Sequence, residues 1–233
     1  MRTDTGGGRL LVAAAPARRT FLFDITPMKT GSMTSEQARK ELRTQLRARR
    51  SALAAGERIL ASQMLVDSLE QLPEFLTDQR IGGYWAVAGE LPLAGLIQGL
   101  RARDQTYHLP IVGEDGLLTF APWRPGGAIT TNRFGIPEPI CAANDLIMPD
   151  QLDVVLLPLL GFDRRGHRLG FGGGYYDRSF AFLRERSAAA RPVLVGIGYA
   201  MQEIPGIDAM PWDVRLDYVA TEEELIECAS APA

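Results

Sequence analysis

The run LDVVLLPLLGF, Leu152 to Phe162, constrains the fold more than any other stretch of the chain. It is apolar throughout rather than alternating, as a strand is when both of its faces are covered. A sheet covered on both faces needs a layer on each side. The flanking segments supply the material. IGGYWAV (Ile81 to Val87) and the VLVGIGY that follows Pro192 are expected as further buried strands. YHLPIV and LLTFAPW are expected as short strands around the Gly113–Gly116 turn, and LAGLIQGLRAR after Pro92 as a helix. This alternation predicts an α/β fold, a three-layer αβα domain with a mostly parallel sheet.

Two helices precede the sheet. TSEQ, Thr34 to Gln37, has capping-box spacing and opens the first. Its Ala38, Leu42 and Leu46 share one face, and Lys40, Arg43, Arg47 and Arg50 share another. After Gly56 a second helix carries Leu60, Met64, Leu65, Leu69 and Leu72, and stops at Pro73. Residues 34–228 read as one domain. Residues 1–33 contain LLVAAAPA, a poor secretory core broken by Pro16 and followed by Arg18 and Arg19, and are expected to be a disordered extension.

RLGFGGGYYDRSF, Arg168 to Phe180, places four glycines within five positions ahead of a helical pattern with Tyr176, Phe180 and Leu183 on one face. Each glycine costs roughly 0.5–1 kcal/mol of stability relative to alanine in regular structure. Two common phosphate loops are excluded. Tyr175 stands where the third glycine of a dinucleotide fingerprint belongs, and His167 and Arg168 stand where the P-loop of GFDRRGHR would need Lys and Ser or Thr. Two readings stay open: a flexible surface turn, or bare amides approaching an anion at a helix start, with Arg165 and Arg168 adding charge. Asp177 in that first turn either favours the helix dipole or meets a phosphate through a divalent cation.

The formal net charge of −3 argues against nucleic-acid binding, and no apolar run approaches the roughly 20 residues of a membrane span. Cys141 and Cys228 have no CxxC partner, which fits a reducing cytoplasm and no zinc site. His108 and His167 are too separate for a triad.

LPLLGFDRRGHRLGFGGGYYDR, Leu157 to Arg178, resembles the motif of the 5-formyltetrahydrofolate cyclo-ligase (5,10-methenyltetrahydrofolate synthetase) family. Three more segments match in the family's order. RKELRTQLRARRSAL (Arg39 to Leu53) resembles its basic first helix, GYWAVAGEL (Gly83 to Leu91) its substrate strand and turn, and MPWDVRLDYVATEE (Met210 to Glu223) its C-terminal acidic segment. The resemblance implies a fold of the kind shared with ribose-5-phosphate isomerase and CoA transferases, in an enzyme that uses ATP and Mg²⁺ to turn 5-formyltetrahydrofolate into 5,10-methenyltetrahydrofolate.

Carried over residue by residue, it implies ATP contacts at Arg39, Lys40, Glu41, Leu42 and Arg43, and at Arg168, Leu169, Gly170, Phe171, Gly172, Gly173, Gly174, Tyr175 and Tyr176. Folate contacts fall on Trp85 and Glu90, sharing Phe171 to Tyr175 with the nucleotide, and metal carboxylates on Asp177 and Asp213. Arg47 and Arg50 are expected to be solvated. A monomer is expected, with small-molecule partners and neither nucleic acid nor membrane. Some members have lysine at the position of Gly173, so phosphate charge is expected from Arg168 or the first helix. Trp212 stands where many relatives have histidine. The rival readings are a sugar-phosphate isomerase or acyl-CoA transferase, which needs a strand-end carboxylate but no basic helix, and a non-catalytic binder, which needs no metal carboxylates.

Overall fold

The computed structural model describes residues 35–185 and 190–228. The expected extension 1–33 and the Thr34 cap lie outside the described residues. In chain order the elements are α1 (Ser35–Ala52), α2 (Ala55–Leu69), α3 (Pro73–Thr77), β1 (Arg80–Gly82), α4 (Ala94–Ala102), β2 (Thr106–Val112), β3 (Leu118–Pro122), β4 (Ile129–Thr131), β5 (Pro137–Pro139), β6 (Val154–Pro158), β7 (Gly161–Phe162), β8 (Arg168–Leu169), α5 (Tyr175–Ser179), β9 (Val193–Ile197), β10 (Tyr218–Ala220) and β11 (Leu225–Glu227).

Seven strands form one sheet in the order β11-β10-β9-β6-β1-β2-β3. The four inner pairings are parallel and the two edge pairings antiparallel. β6 lies at its centre with alternate side chains sent to opposite layers. Val154 and Leu156, with Val195 and Ile197 of β9, pack under Leu65, Leu69, Leu96 and Leu100 of α2 and α4. Val155 and Leu157 pack on the other side with Phe120, Phe162, Phe180 and Leu216. Each such side chain, removed from water, contributes roughly 1.5–3 kcal/mol. The unbroken apolar run is therefore a strand with two dry faces, in an α/β fold with a mostly parallel sheet.

Several boundaries differ from expectation, each for a local polar reason. The Leu152–Phe162 run is not one strand. It bends after Pro158, because the Leu159 and Leu160 carbonyls are taken by side chains, Arg50 and the buried Gln202, instead of a neighbouring strand. Ile81–Val87 pairs only as far as Gly82: the Tyr107 hydroxyl donates to Tyr84 O at 3.0 Å and accepts from Tyr84 N at 3.1 Å, in place of a ladder partner. Pro73 does not end α2, which stops at Leu69; it opens α3, where its missing N–H costs nothing. The core stripe of α2 is Ala61, Leu65 and Leu69, whereas Leu60 and Met64 are exposed.

Gly83 is where the chain leaves the sheet, and a Cβ there would sit 2.2 Å from the Tyr107 hydroxyl. Gly83→Ala should cost roughly 1–3 kcal/mol by overpacking this crossing. The readout is a lower urea midpoint with unchanged slope; an unmoved midpoint would show that the Tyr107 ring yields freely.

Candidate active site

The site forms beyond the carboxyl ends of β1, β6 and β9, where open parallel sheets place ligands. From β1 the chain runs into the Trp85–Glu90 turn. From β6 it enters the β7–β8 hairpin, whose far end is the glycine loop, Gly170 to Gly174. A hairpin thus stands between the buried strand and the loop, and α5 beyond it has only five residues. The helix expected here has little dipole to offer, so the loop's own amides and side chains must supply the field. The hairpin turn is held by Asp163, 1 % exposed, which accepts from Arg165, His167 and the Ile207 amide. Burial would raise its pKa, but those bonds win and hold the carboxyl below its usual range. Arg165 is spent on this turn and is not a site cation.

α1 lies along the loop. Arg43 Nε donates to Gly170 O at 3.0 Å, and Arg47 donates to Phe171 O at 3.2 Å with its guanidinium 5.4 Å from the Phe171 ring centre. From the opposite flank Arg178 donates to Gly173 O at 2.9 Å. Arginines thus occupy the carbonyls of 170, 171 and 173. Among the described residues the N–H groups of Gly172, Gly173 and Gly174 have no acceptor. Gly172 (φ 104°) and Gly174 (φ 66°) take left-handed backbone conformations that glycine adopts without strain. Unpaired consecutive amides of this kind form an anion-binding concavity. Gly172 and Gly173 are exposed and line the cleft, so the same amides are open to solvent when no anion is bound.

The two proposed metal carboxylates meet through the Asp213–Val214 backbone. Asp177 Oδ1 accepts from Arg168 at 2.6 Å and from Val214 N at 3.1 Å. Asp213 Oδ2 accepts from Arg39 at 3.0 and 3.1 Å and from Met210 N at 3.0 Å. Arg168 is buried and also bonded to Val214 O, so its guanidinium is engaged with the Asp177 carboxylate and the backbone. The second oxygen of each aspartate has no partner among the described residues. That fits Mg²⁺, which takes one or two carboxylates and completes its shell with phosphate and water oxygens. No cluster of three or more His, Cys, Asp or Glu among the described residues could hold a metal by itself.

The other half of the site is largely aromatic. Glu90, 6 % exposed, accepts from Val87 N at 2.9 Å. Burial pushes its carboxyl up to about 7, against the opposing pull of the Val87 amide and the Arg50 charge. Trp85 is half-buried, edge-on to Trp123 at 5.5 Å. Tyr175 meets Phe134 edge-on at 5.7 Å, and Tyr176 stacks on Phe180.

The remaining expected positions separate. Arg39 and Arg43 reach the site, but Lys40 is exposed, Leu42 is only half-buried, and exposed Glu41 accepts from Gln45. Leu169 is core. Arg50, expected in solvent, is 1 % exposed. Beyond the loop opens a cleft of about 560 Å³ lined by Gly172 to Gly174, Asp177, Leu117, Arg178, Ala181, Arg184 and Trp212. Arg178, Arg184 and Trp212 were missed; the basic residues just after the loop were the available signal.

The chain matches the family model described as the 5-formyltetrahydrofolate cyclo-ligase family over residues 35–222. It is 31% identical to the 5-formyltetrahydrofolate cyclo-ligase of Haemophilus influenzae over 77% of this chain and 95% of that protein. To the Escherichia coli K12 cyclo-ligase it is 28% identical, over 78% and 99% respectively. It also resembles the solved 5,10-methenyltetrahydrofolate synthetase of Aquifex aeolicus, with a TM-score of 0.70, 27% identity, and coverage of 84% of this chain and 95% of that one.

The Glu90 value predicts a pH-dependent stability. The folded protein binds this proton more tightly than the unfolded chain, whose carboxylate titrates near 4.5. Stability from this group is full below the unfolded value and lost as pH rises through about 7. Glu90→Gln should therefore gain on wild type by roughly 2–3 kcal/mol between pH 5 and pH 8. Parallel urea-midpoint curves for the two proteins would contradict a buried, titrating Glu90.

Proposed function

The chain belongs to the 5-formyltetrahydrofolate cyclo-ligase family, and on that premise we propose that it converts 5-formyltetrahydrofolate to 5,10-methenyltetrahydrofolate, with ATP cleaved to ADP and phosphate. The observation that supports the ATP half is the row of amides at Gly172 to Gly174 without an acceptor among the described residues, in a cleft-lining loop whose carbonyls at 170, 171 and 173 are occupied by arginines.

The formyl group on N5 is an amide and a poor electrophile. Transfer of the γ-phosphoryl group to the formyl oxygen turns that oxygen into a leaving group. N10 then attacks the formyl carbon and closes the ring; the C–O bond breaks, and the N10 proton leaves with inorganic phosphate. Positioning and charge neutralisation supply most of the catalysis in phosphoryl transfer. Here the loop amides bind phosphate oxygens, and Arg178 and Arg184 line the cleft as cations. Arg43 and Arg47 hold the loop in shape. Mg²⁺ bound by the free oxygens of Asp177 and Asp213 would neutralise phosphate charge. On the folate side, Glu90 as a carboxylate accepts paired N–H donors of the pterin. Trp85 and Phe171 offer it apolar surface. No nucleophilic side chain is needed.

The test follows the near-ultraviolet absorbance of the methenyl product with 5-formyltetrahydrofolate, ATP and Mg²⁺. Product should form only when all three are present. Asp177→Asn keeps an oxygen for Arg168 and Val214 and should fold, yet lose roughly 100-fold in turnover, about 2.7 kcal/mol of barrier. Unchanged turnover in this variant would remove Asp177 from the metal site. Active, folded wild type that yields no methenyl product would overturn the reaction itself.

A further inference from the structure

Arg50 is the largest fully buried side chain of the described residues, and the reaction as drawn gives it no task. Its guanidinium joins three parts of the site. It donates to Leu159 O at 3.2 Å, where β6 ends, and to Ala88 O at 3.0 Å, in the turn before Glu90. It also lies 5.1 Å from the centre of the Phe171 ring in the glycine loop. The Nε atom is enclosed and has no acceptor. A buried cation in contact with no carboxylate is costly, and apolar residues of similar volume often serve stability better. Its retention calls for another reason.

Two features of the turn supply one. Ala88 takes φ 49°, a left-handed conformation that an alanine keeps only when its surroundings impose it. Its carbonyl is the atom Arg50 grips. Two residues on, Glu90 is bonded through Val87 N and not to Arg50, so the guanidinium acts on it through the field alone. Arg50 is the charge that acts on Glu90, and the nearest side chains around it are phenols. Tyr84, Tyr176 and Tyr199 face it, and burial holds all three phenols above their ordinary value and therefore neutral. Arg58 abuts Gly89, and Glu222 acts on Tyr199 from across the cluster.

We propose that Arg50 is a positioning residue for folate: it clamps the Ala88–Glu90 turn against Phe171 and keeps the Glu90 side chain in its anionic, accepting form. This rests on the folate reading of Glu90 given above. Arg50 touches neither substrate, since its polar atoms are enclosed. Its removal should damage folate binding and spare ATP.

The experiment measures KM for 5-formyltetrahydrofolate and for ATP between pH 6 and pH 9 in wild type, Arg50→Gln, Arg50→Lys, Glu90→Gln and the Arg50→Gln/Glu90→Gln double variant. In wild type the folate KM should rise as pH falls through about 7. In Arg50→Gln that limb should move up by about one pH unit, raising the folate KM about fivefold at pH 7 and nearly tenfold at pH 6, with the ATP KM within about twofold. Arg50→Lys keeps the charge but not the fork. It should leave the limb in place and raise the folate KM at all pH values. Glu90→Gln should lack the limb, and the double variant should show none either.

A limb unmoved in Arg50→Gln, or equal rises in both KM values, would overturn the proposal. If circular dichroism shows Arg50→Gln unfolded, Arg50→Lys decides: a displaced limb or an equally raised ATP KM rejects the role. Wild type inert toward 5-formyltetrahydrofolate would reject the reaction, a different failure from either of these.

Discussion

Arginine side chains occupy the carbonyl oxygens of the glycine loop, and the rest of the site depends on that division of the backbone. A peptide group offers one donor and one acceptor, and each takes a partner from protein, ligand or water. Here the acceptors are satisfied from the sides by Arg43, Arg47 and Arg178, while the donors of the cleft-lining Gly172 to Gly174 have no acceptor among the described residues. Hydrogen bonds from charged donors are worth roughly 1.5–3 kcal/mol each. Together they hold in one shape a stretch whose glycines would otherwise make it one of the most disordered in the chain. The glycines permit the conformation, and the arginines select it.

The same economy governs the carboxylates. Asp177 and Asp213 each use a single oxygen for both an arginine and a backbone amide, Arg168 with Val214 N and Arg39 with Met210 N, and keep the second oxygen without a partner among the described residues. α1 therefore reaches both ends of the ligand site, Arg39 at the acidic segment and Arg50 beneath the Glu90 turn. The net charge of −3 conceals the local cluster of cations on α1 and around the glycine loop. A helix that is polar on most of its surface is held here by its cations as much as by Leu46.

How legible was this in the residues? The central strand declared itself through a run of apolar residues with no polar face, and the layers on either side follow from it. Its end did not, because Arg50 and Gln202, distant in sequence, intercept the Leu159 and Leu160 carbonyls. The early end of β1 has the same cause, the Tyr107 hydroxyl replacing a ladder partner. On α1 the basic stripe was visible, but its orientation was not. Of the expected cations Arg39 and Arg43 turn inward and Lys40 does not, while Arg50, expected in solvent, lies in the core.

The sequence by itself determined the elements whose cause is local: the doubly buried strand, the helix with a basic face, the glycine-rich connection and the acidic residue behind it. These depend on periodicity and backbone permissiveness, which are properties of neighbours in the chain. Only the tertiary structure decided which charges pair, which are spent on holding backbone, and which carbonyls and amides are left over. Several of those outcomes are set by groups 100 residues or more apart, such as Arg43 with Gly170 and Arg50 with Leu159. Pairing between such groups is a property of distance in space, which no local pattern encodes.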